Sequence, residues 1–132
     1  MIIQLKDVRY SYPDTPGKLV LNINSWSVAA GEQVFVHGPS GGGKSTLLNL
    51  LSGMLQADTG EVSVMDQRLD KISSRQRDRF RADHIGYIFQ QFNLIPHLDA
   101  MDNIELAHQF AREKTLSSLK DDIKSLLSSF YI

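Results

Sequence analysis

Two stretches near the start of the chain, residues 2 to 9 and 19 to 28, carry apolar residues between polar ones, the second as Leu21, Ile23 and then Trp26. They predict two strands, and "PDTPGK" between them is turn material, so together they predict an antiparallel ribbon. "EQVFV" follows, a short apolar run rich in β-branched and aromatic residues that predicts a buried parallel strand. After a glycine-rich stretch, Leu47, Leu48, Leu50, Leu51 and Met54 recur at helical spacing. "GEVSVM" and "HIGYIF" predict two further short strands, separated by "SSRQRDRFRAD", which opens a helix at a serine cap. From Asp99 onward the strand signals stop. "DAMDNIELAHQFA" begins with an aspartate suited to capping a helix, and Leu116, Leu119, Ile123, Leu126 and Phe130 form one apolar helical stripe. The pattern predicts an α/β part over residues 1–98 and a helical part over 99–132.

Composition narrows the class. A chain of 132 residues is long enough for one domain with a sizeable core. The net charge of −1 gives no reason to expect nucleic acid as a partner. Cysteine is absent, which removes disulfides and thiolate metal sites. "MIIQLKDVRYSYP" lacks the organisation of a signal peptide, and no window approaches a membrane-spanning length of apolar residues, so a cytoplasmic chain is expected.

The candidate chemistry lies between the third predicted strand and the first helix. Gly38-Pro39-Ser40-Gly41-Gly42-Gly43-Lys44-Ser45 satisfies G-x-x-x-x-G-K-[ST], the phosphate-binding loop. Without side chains the backbone wraps closely round an anion and its N–H groups form a nest. The helix that starts near Lys44 adds its positive end. Lys44 brings a full charge for the β and γ oxygens, Ser45 a hard oxygen suited to magnesium, and Thr46 a donor for the α-phosphate.

The flanks of this loop carry a wider resemblance. "LKDVRYSYP", then the stretch from "LVLNINSWSV" through "HGPSGGGKSTLLNLLSGMLQADTGEVSVMDQ", then "IGYIFQQFNLIPHLDAMDNIEL" closely resemble the nucleotide-binding domain of ABC transporters. Within that superfamily "IGYIFQQFNLIPHLDAMDNI" looks most like the lipoprotein-release and macrolide-export branch. The resemblance implies a P-loop NTPase fold with an N-terminal antiparallel β ribbon and the start of an α-helical subdomain. ATP and Mg2+ are the implied cofactors, with a membrane permease and a second ATP-binding subunit as partners, on the inner face of the cell membrane. It implies that Tyr12 stacks on adenine, Tyr10 being the alternative two residues away. It further implies that Gln90 is the Q-loop glutamine, reaching magnesium or the attacking water, so that Lys44 and Gln90 carry the catalytic roles. "FNLIPHL", residues 92 to 98, is then an exposed apolar loop suited to a coupling helix of the permease.

Other candidates are weaker. "VSVMD" is interrupted by Ser63 and followed by Gln67, so Asp66 reads as a turn residue, not a metal ligand. His37, His84, His97 and His108 show no metal-ligand spacing. Arg75, Arg77, Arg79 and Arg81 are interrupted by Asp78 and Asp83 and read as a solvated helix face. No Asp-Glu dipeptide and no L-S-G-G-Q signature occurs, so the resemblance implies the N-terminal portion of such an ATPase, ending before those motifs and inactive alone. Two alternatives stay open: a small P-loop nucleotide kinase, and a non-catalytic fragment that interacts through its helices.

Overall fold

The computed structural model describes residues 1–89, 93–109 and 116–130. Two compact units divide it, residues 1–81 and 82–132.

The first unit is built on an antiparallel ribbon. Strand β1 (Ile3–Ser11) pairs with β2 (Leu19–Val28), and β3 (Thr59–Val64) pairs with the other edge of β1. A two-residue strand β4 (Gln67–Arg68) completes a sheet of order β2-β1-β3-β4. Inward positions in β1 are Leu5, Val8 and Tyr10, so strict alternation slips by one residue at Asp7, whose φ is 51°. The pairing with β3 shifts register between Lys6 and Arg9, the mark of a bulge. Gly60 lies against Asp7 so closely that a Cβ there would meet the Asp7 carbonyl. On the other edge, Val8 pairs with Ile23 and Leu5 with Trp26, so β2 slips at the same level. The slip turns Tyr10 inward; without it, Leu5 inward would dictate Tyr10 outward.

Helix α1 (Lys44–Leu51) covers this sheet. Leu47 and Leu50 join Leu5, Val8, Tyr10, Leu21, Val62, Val64 and Leu69 in one buried cluster. Leu48 stays exposed, as one face of an amphipathic helix must; α1 ends at Leu51 with Ser52 as its C-cap, so Met54 of the predicted helical run lies beyond the helix, exposed. After the 3-10 turn Leu69–Lys71, helix α2 (Ser74–His84) begins at the predicted serine. There Ser73 and Gln76 cap reciprocally, the Gln76 Oε1 accepting from the Ser73 N–H at 2.9 Å.

Two predicted strands are corrected. Residues 33–36 join no ladder among the described residues; Phe35 is 87% exposed and only Val36 packs against the core cluster. Residues 85–89 likewise join none, and Ile88 is exposed. Both are apolar and β-branched, but a strand needs a neighbour for its backbone groups, and no described strand lies alongside either.

In the second unit, α3 (Ala100–Gln109) starts at the predicted cap, Asp99 Oδ1 accepting from the Asp102 N–H at 2.8 Å. The Asn103 side chain fastens the preceding loop to this helix. Its Oδ1 accepts from the Ile95 N–H at 2.8 Å, and its Nδ2 donates to the carbonyls of Leu98 and Asp99. Helix α4 (Leu116–Ser129) carries the predicted stripe, and Lys120 reaches Glu105 of α3 at 3.5 Å. Only part of the stripe is covered: Ile123 is buried, whereas Leu126 and Phe130 are exposed, and no described element of this unit lies over them.

Candidate nucleotide-binding site

The glycine loop leads into α1 with Gly43 as the helix N-cap at φ 80°. A side chain is excluded there for two reasons. The backbone is left-handed, and a Cβ would sit 2.8 Å from Leu21 Cδ2 and 3.0 Å from the Val20 carbonyl. The loop is thus seated against the edge of the ribbon. No side chain caps α1, and no acidic residue lies in its first turn, so the N–H groups of Lys44, Ser45 and Thr46 have no intrahelical acceptor.

Lys44 is fixed by its own loop. Its Nζ donates to the Gly38 carbonyl at 2.8 Å and to the Pro39 carbonyl at 2.7 Å. Gly42 N–H donates to the same Pro39 carbonyl at 3.1 Å, which closes the turn. Pro39 and Gly38 therefore act through their carbonyls. Ser40, Gly41, Gly42, Gly43, Lys44, Ser45 and Thr46 line a cleft of about 490 Å³.

The opposite wall comes from the end of β1 and the β1–β2 turn: Tyr12, Asp14, Thr15, Lys18 and Val20. Of the two tyrosines, Tyr12 faces the cleft and is 36% exposed, while Tyr10 is buried in the core. The rings meet edge to face, with centroids 5.1 Å apart. Burial, then the neighbouring Tyr12, pushes the Tyr10 phenol above its ordinary value. Asp58 secures this end of the strand: its Oδ2 accepts from the Ser11 N–H at 2.7 Å, and its own N–H donates to the Arg9 carbonyl at 2.9 Å. Tyr12 Oη and Thr46 Oγ1 are hydrogen-bonded at 2.9 Å, joining the two walls.

The structure thus brings Tyr12 and the loop residues to one cleft, and Gln90 lies outside the described residues, as does Phe92 of the apolar loop. Sequence reasoning took "PDTPGK" for turn material and missed Asp14, Thr15 and Lys18 as wall residues. Their place immediately after Tyr12 was the available signal.

Phosphate-binding loop, following helix and antiparallel ribbon define the class: a P-loop NTPase of α/β type. The ABC transporter family profile matches residues 21–131, and the chain belongs to that family. It is 40% identical over 107 residues to the macrolide export ATP-binding/permease protein MacB of Pasteurella multocida, covering 80% of this chain and 16% of that protein. It is 41% identical over 100 residues to the uncharacterized ABC transporter ATP-binding protein YbbA of Escherichia coli K12, covering 76% of this chain and 43% of that one. The chain thus spans less than half the length of these relatives. Among solved structures it resembles a dimeric, post-hydrolysis structure of the ATP-binding cassette MJ0796 bound to ADP and Pi. The TM-score is 0.82 at 31% identity, over 96% of this chain and 56% of that one. The macrolide-export similarity agrees with the branch expected from the sequence.

Proposed function

We propose that this chain is an ATP-binding portion of an ABC transporter that takes MgATP into the cleft between residues 40–46 and Tyr12. The observation that carries this reading is convergence: the Lys44 ammonium and the free N–H groups of the first turn of α1 meet at one cleft with an aromatic ring opposite. Glycine backbone and helix start hold the phosphates, Lys44 supplies the charge, and Thr46 contributes a donor. Tyr12 offers the base a flat face.

Magnesium fits the donors present. Ser45 provides one exposed hydroxyl on the cleft, and the described residues contain no cluster of three or more His, Cys, Asp or Glu. Such a site holds magnesium through one or two protein oxygens together with phosphates and water. Bound there, the ion offsets phosphate charge. Gln90 is assigned its second protein ligand on the strength of the sequence resemblance.

The remaining roles belong to the whole protein. ATP hydrolysis, pairing with a second ATP-binding subunit and coupling to a membrane permease are the activities this reading assigns to it. The MacB and MJ0796 likenesses support them. No described helix is long and apolar enough to cross a membrane, which suits a chain held at the inner membrane face by a permease. Titration calorimetry tests the reading. Lys44→Ala is expected to abolish most MgATP affinity, and Tyr12→Ala to weaken it by about 1 to 3 kcal/mol. Unchanged affinity in Lys44→Ala would refute the phosphate site.

A further inference from the structure

Thr46 is a polar residue only 4% exposed, set in the first turn of α1 beneath the glycine loop. A buried hydroxyl requires a partner, and this one has the Tyr12 oxygen at 2.9 Å, 34 residues away in sequence. Either oxygen is able to donate. The phenol is the more acidic of the two, and a threonine that accepts from it keeps its own proton for a second acceptor. Thr46 lines the cleft, so that second acceptor would be a phosphate oxygen.

We propose that the Tyr12 hydroxyl is a positioning group for phosphate binding, donating to Thr46 Oγ1 and thereby turning the Thr46 proton into the cleft. The proposal rests on the nucleotide-binding reading and deepens it, because it gives Tyr12 a task independent of the base. A hydroxyl that accepts one hydrogen bond is polarised as a donor for the next, and the effect is greatest when the final acceptor is charged.

The tyrosine is held firmly enough to do this. Its ring rests edge to face on Tyr10, whose own ring belongs to the buried core. Its backbone carbonyl accepts from the Thr15 N–H at 3.0 Å, and Asp58 anchors the residue before it. The hydroxyl position is therefore fixed by the core, and the phosphate end of the cleft is tied to the base end through one hydrogen bond.

Inorganic tripolyphosphate separates this role from stacking, since it has phosphates and no base. Titration calorimetry with magnesium compares tripolyphosphate and ATP on the full chain for wild type, Tyr12→Phe, Thr46→Val and the double variant. Tyr12→Phe keeps the ring and is expected to weaken both ligands by about threefold to tenfold, the worth of one hydrogen bond. The double variant should bind no more weakly than Thr46→Val alone. Thr46→Ser, which keeps the hydroxyl, should remain sensitive to Tyr12→Phe, and this serves if the valine variant fails to fold. Wild-type affinity for tripolyphosphate in Tyr12→Phe, or independent effects that multiply, would overturn the positioning role and leave the nucleotide reading intact. Failure of wild type to bind either ligand would overturn both.

Discussion

Strand β3 and residues 33–36 are made of the same material, and only one of them is a strand. "EVSV" places Val62 opposite Leu5 and Val64 opposite Ile3, and both valines are buried. "QVFV" is at least as apolar, yet Val34 and Phe35 are exposed and the segment pairs with nothing described. Neighbours make the difference. β3 has β1 on one side and, on the other, the short β4 together with the Asp70 carboxylate, whose Oδ1 accepts the Val62 N–H at 3.1 Å. Apolar β-branched composition measures what a segment gains from burial; strand formation also requires somewhere for its backbone to bond.

Hydrogen exchange gives the widest separation between the two regions. The sheet amides of Leu5, in the ladder, and Val62, on the Asp70 carboxylate, should exchange roughly a thousandfold or more slower than those of residues 34 and 35, in keeping with global rather than local opening. Comparable protection in both would show that residues 33–36 are paired in solution. Core truncation comes next in size. Leu5→Ala should cost about 2 to 5 kcal/mol in urea denaturation, and Phe35→Ala should stay within about 0.5 kcal/mol. A costly Phe35→Ala would place that ring in a packed environment.

Gly43→Ala probes the joint between ribbon and loop. Its left-handed backbone and its contacts with Leu21 and Val20 predict a loss of about 1 to 3 kcal/mol, with weakened MgATP binding in the same variant. The smallest effect concerns the Asp70 brace. Arg68 donates to both oxygens of Asp70, and this contact, aided by the Val62 N–H, holds the carboxyl below its ordinary value of 3.8. A depressed carboxylate stabilises the fold above its unfolded pKa, and that contribution fades as pH falls through the folded value. Below about pH 4 the wild type should therefore lose its advantage over Asp70→Asn. At neutral pH the difference should be about 1 kcal/mol or less, because Arg68 is partly exposed. A gap that persists in acid would mean that the charge of Asp70 is not what matters.

Much of the site was legible because its chemistry is local. The loop from Gly38 to Thr46 is contiguous, and both its glycines and its lysine have reasons visible in the sequence. The ribbon was legible from alternation and its turn, and the caps at Ser73 and Asp99 from residue type. What escaped depends on distant partners. The ladder failure at residues 33–36, the Asp58 anchor on Ser11 and the Tyr12–Thr46 bond each join positions far apart or record a missing neighbour. The choice of Tyr12 over Tyr10 came from resemblance. The physical ground for it, one ring in the core and the other on the cleft, appears only once the β1 slip is seen.

That slip makes the chain sensitive to length at one point. Removing Asp7 would let Leu5, Val8 and Tyr10 alternate inward without a slip, but it would move every later position of β1 one place along β2, setting Val8 at the level of Asn24 and Tyr12 out of line with Thr46, although no loop residue had changed. Restoring them would take a compensating change opposite, near Asn24 and Ser25, where β2 slips at the same level. Surviving insertions and deletions in the first strand of related chains should therefore come in pairs across the ribbon. Substitutions at Asp7 face a milder filter, and Gly60 a stricter one, since any side chain there would strike the Asp7 carbonyl.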